Sequence, residues 1–226
     1  MIAYFCLLAV AVIASSLFLI WRTPEKPAFN ALLKGIASFL FLALGIVCAF
    51  ENPEFSMPIM FILLGLSASV FGDMFLAGKD FKNEYENKAL YAGFGSFAVA
   101  QVMYMLGFSF LLGFYWWAPV AGALLALAIV FGEKILKLDY GKFKVVVAVY
   151  AFALMTALAQ SVSGLIVSGF SVGRLLLMLG MIFFAVSDII LSFIYFRKDA
   201  SDMLNYFNLG TYYVGQILLA SALFFI

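Results

Sequence analysis

The sequence predicts an all-α integral membrane protein that crosses the bilayer eight times. Hydrophobic residues make up 66% of the chain and charged residues only 11%, whereas a soluble domain carries about 25% charged residues. The apolar residues also fall into runs of about 20, the length that a helix needs to cross the hydrocarbon core. We therefore expect one transmembrane domain over residues 1–226.

Eight apolar runs divide the chain and leave almost no room for a soluble domain. The first run has no basic residues before it and is longer than the core of a typical signal peptide, so we interpret it as a span. The other runs are separated by short polar segments. The eight predicted spans are 2–20, 31–50, 57–77, 89–112, 115–131, 144–167, 172–195 and 204–226.

Basic residues are distributed very unevenly among the segments between the spans. Twelve of the thirteen lie on one side of the membrane, and only Arg174 lies on the other. The positive-inside rule places the twelve in the cytoplasm and both termini on the non-cytoplasmic side. The twelve are Arg22, Lys26, Lys34, Lys79, Lys82, Lys88, Lys134, Lys137, Lys142, Lys144, Arg197 and Lys198.

A shift of 115 residues aligns the two halves of the chain at their least common residues. The LG and GD pairs at 64–65 and 72–73 align with the LG and SD pairs at 179–180 and 187–188, and the second pairs end at Asp73 and Asp188. In each half a glutamine, Gln101 or Gln216, follows 28 residues after the aspartate. Because each half has an even number of spans, we expect parallel repeats related by an axis along the membrane normal. The expected repeats cover about 1–114 and 115–226.

Two aspartates inside the predicted spans are the strongest candidates for a functional site. Asp73 is the only charged residue in the run 57–77, and Asp188 has the equivalent position in the second half. A carboxylate in hydrocarbon costs several kcal/mol, so it usually faces a protein interior or a water-filled cavity. Both lie roughly 6–11 Å below the inner boundary of the bilayer, at 1.5 Å per residue. The repeat therefore predicts that they converge on one central site.

Other polar residues are expected to face the same site. In span eight, four of them recur at intervals of three, four and four residues and so lie on one helix face. Spans two, four and six contribute further polar side chains. Such polar residues can instead form hydrogen bonds between helices, and a lysine can instead extend its ammonium group to the membrane interface. The predicted polar shell consists of Lys34, Gln101, Tyr104, Tyr150, Asn205, Asn208, Tyr212 and Gln216.

Zinc chemistry is excluded by the residues that the chain lacks. The sequence contains no histidine and only two cysteines, so the usual zinc-ligand sets cannot be assembled. We expect no metal, nucleotide or redox cofactor and no nucleic-acid partner. Membrane lipids are the expected surroundings.

Several motifs together resemble the YhhN family of eight-span membrane proteins, which includes the animal lysoplasmalogenases. They are the GD and SD motifs, the FxxAxxxY pattern in span four, YAFALM (150–155) and YYVGQ (212–216). The resemblance covers essentially the whole chain. It implies that the protein hydrolyses the vinyl ether bond of lysoplasmalogens, a class of lyso-phospholipid, and releases a fatty aldehyde and a glycerophospho-base. The membrane would be the plasma membrane in a prokaryote and the endoplasmic reticulum in a eukaryote.

The resemblance also assigns residues. Asp73 and Asp188 match the two motif carboxylates of the family, Lys34 matches a lysine near the start of span two, and Gln216 matches a glutamine in the last span. Two positions depart from the family pattern. Gln101 stands where members commonly carry histidine, and Gly35 stands where they commonly carry proline.

The chemistry expected from paired aspartates is acid–base catalysis. One carboxyl would protonate the vinyl ether, and the other would stabilise the resulting cation and activate water, but the sequence leaves open which takes which role. A proton-coupled small-solute transporter is an alternative, because duplicated bundles with carboxylates between the repeats suit a carrier. A non-catalytic lyso-lipid-binding protein is another. An intramembrane aspartyl protease ranks lower, because Val70 replaces the first glycine of the GxGD motif.

Overall fold

The chain folds into eight α-helices in a computed structural model, which describes residues 1–23, 25–53, 56–79 and 86–226. Each predicted span corresponds to one helix, and the helix ends differ from the predicted ends by four residues at most. Lys82 and the side chain of Lys79 lie outside the described part of the chain. The helices are α1 (Ile2–Trp21), α2 (Pro27–Glu51), α3 (Met57–Lys79), α4 (Glu86–Leu112), α5 (Trp117–Phe131), α6 (Lys144–Val167), α7 (Val172–Phe196) and α8 (Met203–Ala222).

Among the described residues, six helices are long and apolar enough to cross a bilayer, namely α1–α4, α6 and α7. The chain is an integral multi-pass membrane protein. Helix α5 has 15 residues, which gives about 22 Å against a hydrocarbon core of about 30 Å. Helix α8 is longer but carries the polar stripe. Crossing by α5 and α8, which the eight-span topology requires, stays a prediction.

Six of the helices form a closed ring. In the described part of the chain α2, α3, α4, α6, α7 and α8 each pack against the next in this order, and α8 packs against α2. Helix α1 lies outside the ring against α2 and α8, and α5 lies outside it against α6. A shift of 115 residues carries the α2–α8 contact onto the α6–α4 contact. Helix pairs in the two halves therefore correspond, although the internal repeat itself stays a prediction.

Both ends of the chain lie at the same end of the ring. The ring of Tyr4 stacks on that of Phe224, with centroids 4.7 Å apart. The Asn52 side chain, just after α2, donates a hydrogen bond of 3.2 Å to the carbonyl of Leu223. The opposite end of the bundle holds the end of α1 and the start of α2. Which end faces the cytoplasm stays a prediction.

Helices α7 and α8 approach most closely at two glycines. A Cβ atom on Gly215 would lie 2.9 Å from the carbonyl oxygen of Gly180 and 3.0 Å from the amide nitrogen of Phe184. In the first half, a Cβ atom on Gly65 would lie 2.4 Å from the ring of Tyr104. Small residues thus let the last two helices of each half pack closely, as is common between membrane helices.

Replacing Gly215 by alanine is expected to lower the melting temperature by about 2–10 °C, because overpacking against backbone atoms costs about 1–3 kcal/mol. The measurement is a thermal melt of the purified protein in detergent. Gly210→Ala is the matched control on the same helix, since a Cβ there meets nothing within 4 Å. It should melt no lower than the wild type. Equal melting temperatures for the two variants would contradict the close approach.

Candidate active site

A polar cavity of about 170 Å³ lies at the end of the ring where α1 ends and α2 begins. Asp73 from α3 and Asp188 from α7 both belong to its wall. Arg22 and Asn205 lie at its mouth and are half-buried. Of the ten residues that the sequence singles out, six line this cavity: Lys34, Asp73, Asp188, Asn205, Asn208 and Tyr212.

Asp73 is held on three sides. The carboxylate is 2% exposed and lies 3.1 Å from the ammonium of Lys34. It accepts hydrogen bonds from the Tyr212 hydroxyl at 2.6 Å and the Ser38 hydroxyl at 2.7 Å. A cation and two hydroxyl donors all stabilise the ionised form of a carboxyl group. Asp73 is therefore tied to α2 by Lys34 and Ser38 and to α8 by Tyr212.

Asp188 has different surroundings. It is half-buried, and the Tyr150 hydroxyl on α6 donates a hydrogen bond to it. Within the described residues no basic side chain lies within ion-pair distance of Asp188. The two carboxyls that the sequence pairs by symmetry thus differ in their counter-charge, which is one of the factors that decide which carboxyl carries a proton.

The two halves also differ at the position that faces each aspartate from the last helix of a repeat. Tyr212 of α8 bonds to Asp73, and the residue 115 positions earlier is Phe97 of α4. Phe97 lines the polar cavity and packs edge-on against Phe184 of α7 at 6.0 Å between centroids. A phenyl ring offers no hydroxyl to Asp188, so the asymmetry of the two carboxyls begins in the sequence.

Lys34 has a role that the sequence did not indicate. A lysine at that depth is expected to reach for the interface or to attract a phosphate group, but its side chain is 13% exposed and forms an ion pair with Asp73. Its charge is compensated inside the cavity. The cation at the mouth is Arg22, which has no ion pair with any described carboxylate and lies 6.0 Å from the ring centroid of Tyr206. Its place directly after span one, on the side of the aspartates, was the signal available in the sequence.

The asparagines of α8 take two different positions. Asn208 is buried and donates hydrogen bonds to the carbonyl and the hydroxyl of Ser187, at 2.8 Å and 2.9 Å. It thereby fixes α8 against the residue that precedes Asp188. Asn205 lies one turn nearer the mouth and donates to the carbonyl of Asp202. Asn208 is a positioning residue, and Asn205 is open to a ligand.

Gln101, Tyr104 and Gln216 lie outside the wall of the polar cavity. The Tyr104 hydroxyl donates a 3.0 Å hydrogen bond to Gln216, and all three side chains are fully buried. Gln101 comes near Tyr150, but neither of its amide atoms has a hydrogen-bond partner among the described residues. The helix faces match the expectation, but each glutamine lies one turn, about 6 Å, beyond the cavity-lining residue on its helix.

A second cavity, of about 480 Å³, lies on the outside of the ring between α5, α6 and α7. We call it the apolar groove, because most of its wall consists of aliphatic side chains such as Leu154 and Ile182. Tyr150 and Asp188 belong to its wall as well. Asp188 therefore borders the polar cavity on one side and the apolar groove on the other.

Comparison with known proteins gives one match. The profile of the YhhN family matches residues 29–223, which is most of the chain. The matched range contains both aspartates and the whole predicted polar shell, whereas Arg22 precedes it. No curated protein and no solved structure gives a significant match.

Proposed function

Because the chain belongs to the YhhN family, we propose that it is a lysoplasmalogenase-like hydrolase, which cleaves the vinyl ether bond of lysoplasmalogens. The products are a fatty aldehyde and a glycerophospho-base. One observation carries the proposal: two carboxyls with unlike surroundings, Asp73 paired with a lysine and Asp188 without a cation, line one cavity inside the membrane domain. Vinyl ether hydrolysis needs such a pair, an acid and an anion.

Asp188 is the proposed general acid. The ionised form of a carboxyl without a counter-charge is less stabilised than that of one paired with a lysine, so Asp188 is the carboxyl suited to carry a proton. It gives this proton to the carbon of the double bond that is remote from the ether oxygen. The electron pair of the double bond forms the new C–H bond, and the other carbon becomes an oxocarbenium ion. Asp188 is left ionised, and Tyr150 donates a hydrogen bond to it.

Asp73 is the proposed anion. Its carboxylate stabilises the oxocarbenium ion and accepts a proton from the water molecule that attacks the positive carbon. The resulting hemiacetal then collapses. Its hydroxyl proton returns to Asp188, the bond to the glycerol oxygen breaks, and that oxygen takes the proton held by Asp73. Both carboxyls are thereby restored, and one water molecule is consumed.

The mouth of the polar cavity suits a phosphate-bearing headgroup. Arg22 is a planar cation that can donate two parallel hydrogen bonds to phosphate oxygens, and Asn205 adds a polar side chain to the wall. Lys34 does not serve this purpose in the proposal, because its charge is compensated by Asp73. A lyso-phospholipid would therefore place its headgroup at Arg22 and its ether linkage deeper, at the aspartates.

The direct test is an aldehyde assay with the purified protein in detergent. Choline and ethanolamine lysoplasmalogens are the substrates, and a lyso-phospholipid with a saturated ether bond is the control. We expect aldehyde from both vinyl ether lipids and none from the saturated one. Absence of aldehyde from every lysoplasmalogen tested would overturn the proposal. Tight lyso-lipid binding without turnover would then favour the non-catalytic alternative, and proton-driven uptake in proteoliposomes would favour transport.

Tyr150→Phe is expected to lower kcat about 10- to 100-fold, because one hydrogen bond to a charged group contributes about 1.5–3 kcal/mol. The hydroxyl stabilises ionised Asp188 after proton transfer, so the limb of the pH–rate profile that reports the acid should move to higher pH, and KM should stay near the wild-type value. Tyr91→Phe, on the half-exposed side of α4 away from the cavity, is the control. An unchanged pH–rate profile in Tyr150→Phe would contradict this role.

A further inference from the structure

The apolar groove follows the direction of the helices. Along α7 its wall extends from Phe193 to Ile182, and along α6 it reaches Leu158. Eleven residues correspond to about 16 Å, which is about half of the hydrocarbon core. The polar side chains of the wall, Tyr150 and Asp188 among them, lie toward the end of the groove near the polar cavity, and the wall beyond them is aliphatic. The groove therefore runs from the carboxyl toward the middle of the bilayer.

The groove forms beside α5 because that helix packs, in the described part of the chain, against α6 and not against α7. Its flank toward α7 is left uncovered. Leu136 and Leu138, which follow α5, close the end of the groove near the polar cavity. The result is a concave surface of about 480 Å³, a size typical of small-molecule sites.

Asp188 joins the two cavities. The polar cavity lies on one side of it with Arg22, Lys34 and the asparagines, and the apolar groove lies on the other. The Tyr150–Asp188 hydrogen bond bridges α6 and α7 at this place. A molecule that reaches into both cavities must have a polar end and an apolar chain, and the bond between these two parts must pass Asp188.

We propose that the apolar groove holds the hydrocarbon chain of a single-chain lipid whose headgroup occupies the polar cavity. This inference rests on the proposed function in one respect, that the polar end belongs to a lyso-phospholipid. It adds the location of the chain beside Asp188 and a preference for one chain over two. The groove offers room for one chain beside Asp188, so the second chain of a diacyl lipid would lie outside the groove and add nothing to binding there.

The test maps the chain without requiring turnover. The probe is a lyso-phosphocholine with a long saturated alkyl ether chain that carries a diazirine near its end. After illumination in detergent, mass spectrometry locates the label. We expect it on groove residues such as Leu154 and Ile182, and we expect excess unlabelled lyso-phosphocholine, but not diacyl phosphatidylcholine, to remove it. Label spread over the lipid-facing side of all helices, without competition, would mean annular lipid only and would overturn the proposal.

Filling the groove provides a second measurement. Ala151→Phe adds a ring to the groove wall and should reduce competable label on Leu154 and Ile182 about tenfold. Val149→Phe is the matched control on α6, because Val149 is 61% exposed and lies outside the groove. Thermal melts verify that both variants are folded, and unchanged label in folded Ala151→Phe would contradict the proposal. The saturated probe separates the two proposals, because its labelling does not depend on turnover. Groove label without aldehyde release from lysoplasmalogen would overturn only the proposed hydrolase activity. Aldehyde release without groove label would overturn only the proposed location of the hydrocarbon chain.

Discussion

Replacing Asp188 by asparagine is expected to lower aldehyde release from lysoplasmalogen by about 10²–10⁴-fold, the contribution of a general acid. The asparagine amide has the same shape as the carboxyl and still accepts the hydrogen bond from Tyr150, so the fold should be retained. It cannot give a proton to carbon. The measurement is initial rates of aldehyde formation at saturating substrate, together with a thermal melt.

Asp199→Asn is the matched control for this substitution. Asp199 is exposed, lies between α7 and α8, and is not part of the wall of either cavity. It should retain wild-type turnover and stability. A general acid is expected to contribute at least about 10²-fold to the rate. If Asp188→Asn retained more than about a tenth of wild-type turnover, the loss would be too small for that role, and Asp188 would not be the proton donor.

Replacing Lys34 by methionine is expected to destabilise the protein by about 3–5 kcal/mol, because it leaves a buried carboxylate without its counter-charge. Asp73 is 2% exposed, so bulk water screens its charge little. Asp73→Asn should cost less, since the unpaired Lys34 has a long side chain that can extend toward the cavity mouth. The double variant should melt above Lys34→Met, because it removes both charges together. All three variants should lack aldehyde release.

Thermal melts of the four proteins in detergent form a double-mutant cycle that measures the coupling of the pair. Glu133→Gln is the control, because it breaks the ion pair of Glu133 with Lys144, whose side chain is 51% exposed. Lys144 lowers the pKa of Glu133, so this pair is lost only as the pH falls through that lowered pKa. A pair that is open to solvent at its lysine end contributes less than a buried one, and the melting temperature should fall much less than in Lys34→Met. Additive effects of Lys34→Met and Asp73→Asn would show that the buried pair is not coupled.

The helices could be predicted from the sequence because a membrane imposes one length and one composition on each of them. The bounds of α6, Lys144–Val167, coincide with the predicted span 144–167. The cavity residues could be predicted for a related reason. A carboxylate in an apolar helix is expected to face a cavity or a partner, so Asp73 and Asp188 indicated a cavity between the helices.

The end of the cavity, the orientation of Lys34 and the groove depend on packing between helices, which the spacing of residues along one helix does not reveal. Gln216 lies on the same face of α8 as Tyr212, but the cavity ends before it. Lys34 has the right depth for a headgroup ligand, yet its orientation toward Asp73 is set by the position of α2 against α3. The groove results because α5 and α7 do not contact each other in the described part of the chain. No residue type in the sequence indicates this missing contact. Periodicity gives the face and the depth of a side chain, and neighbouring helices decide what that face meets.

The place of Asp188 in the walls of two cavities has a consequence for how the products of the proposed reaction would leave. The polar cavity opens at the end of the bundle, and the groove opens sideways toward lipid. The water-soluble product would depart through the first opening and the fatty aldehyde through the second, so neither has to pass the other. A reactive aldehyde would then be released directly into the bilayer, where an enzyme that consumes it would have to collect it.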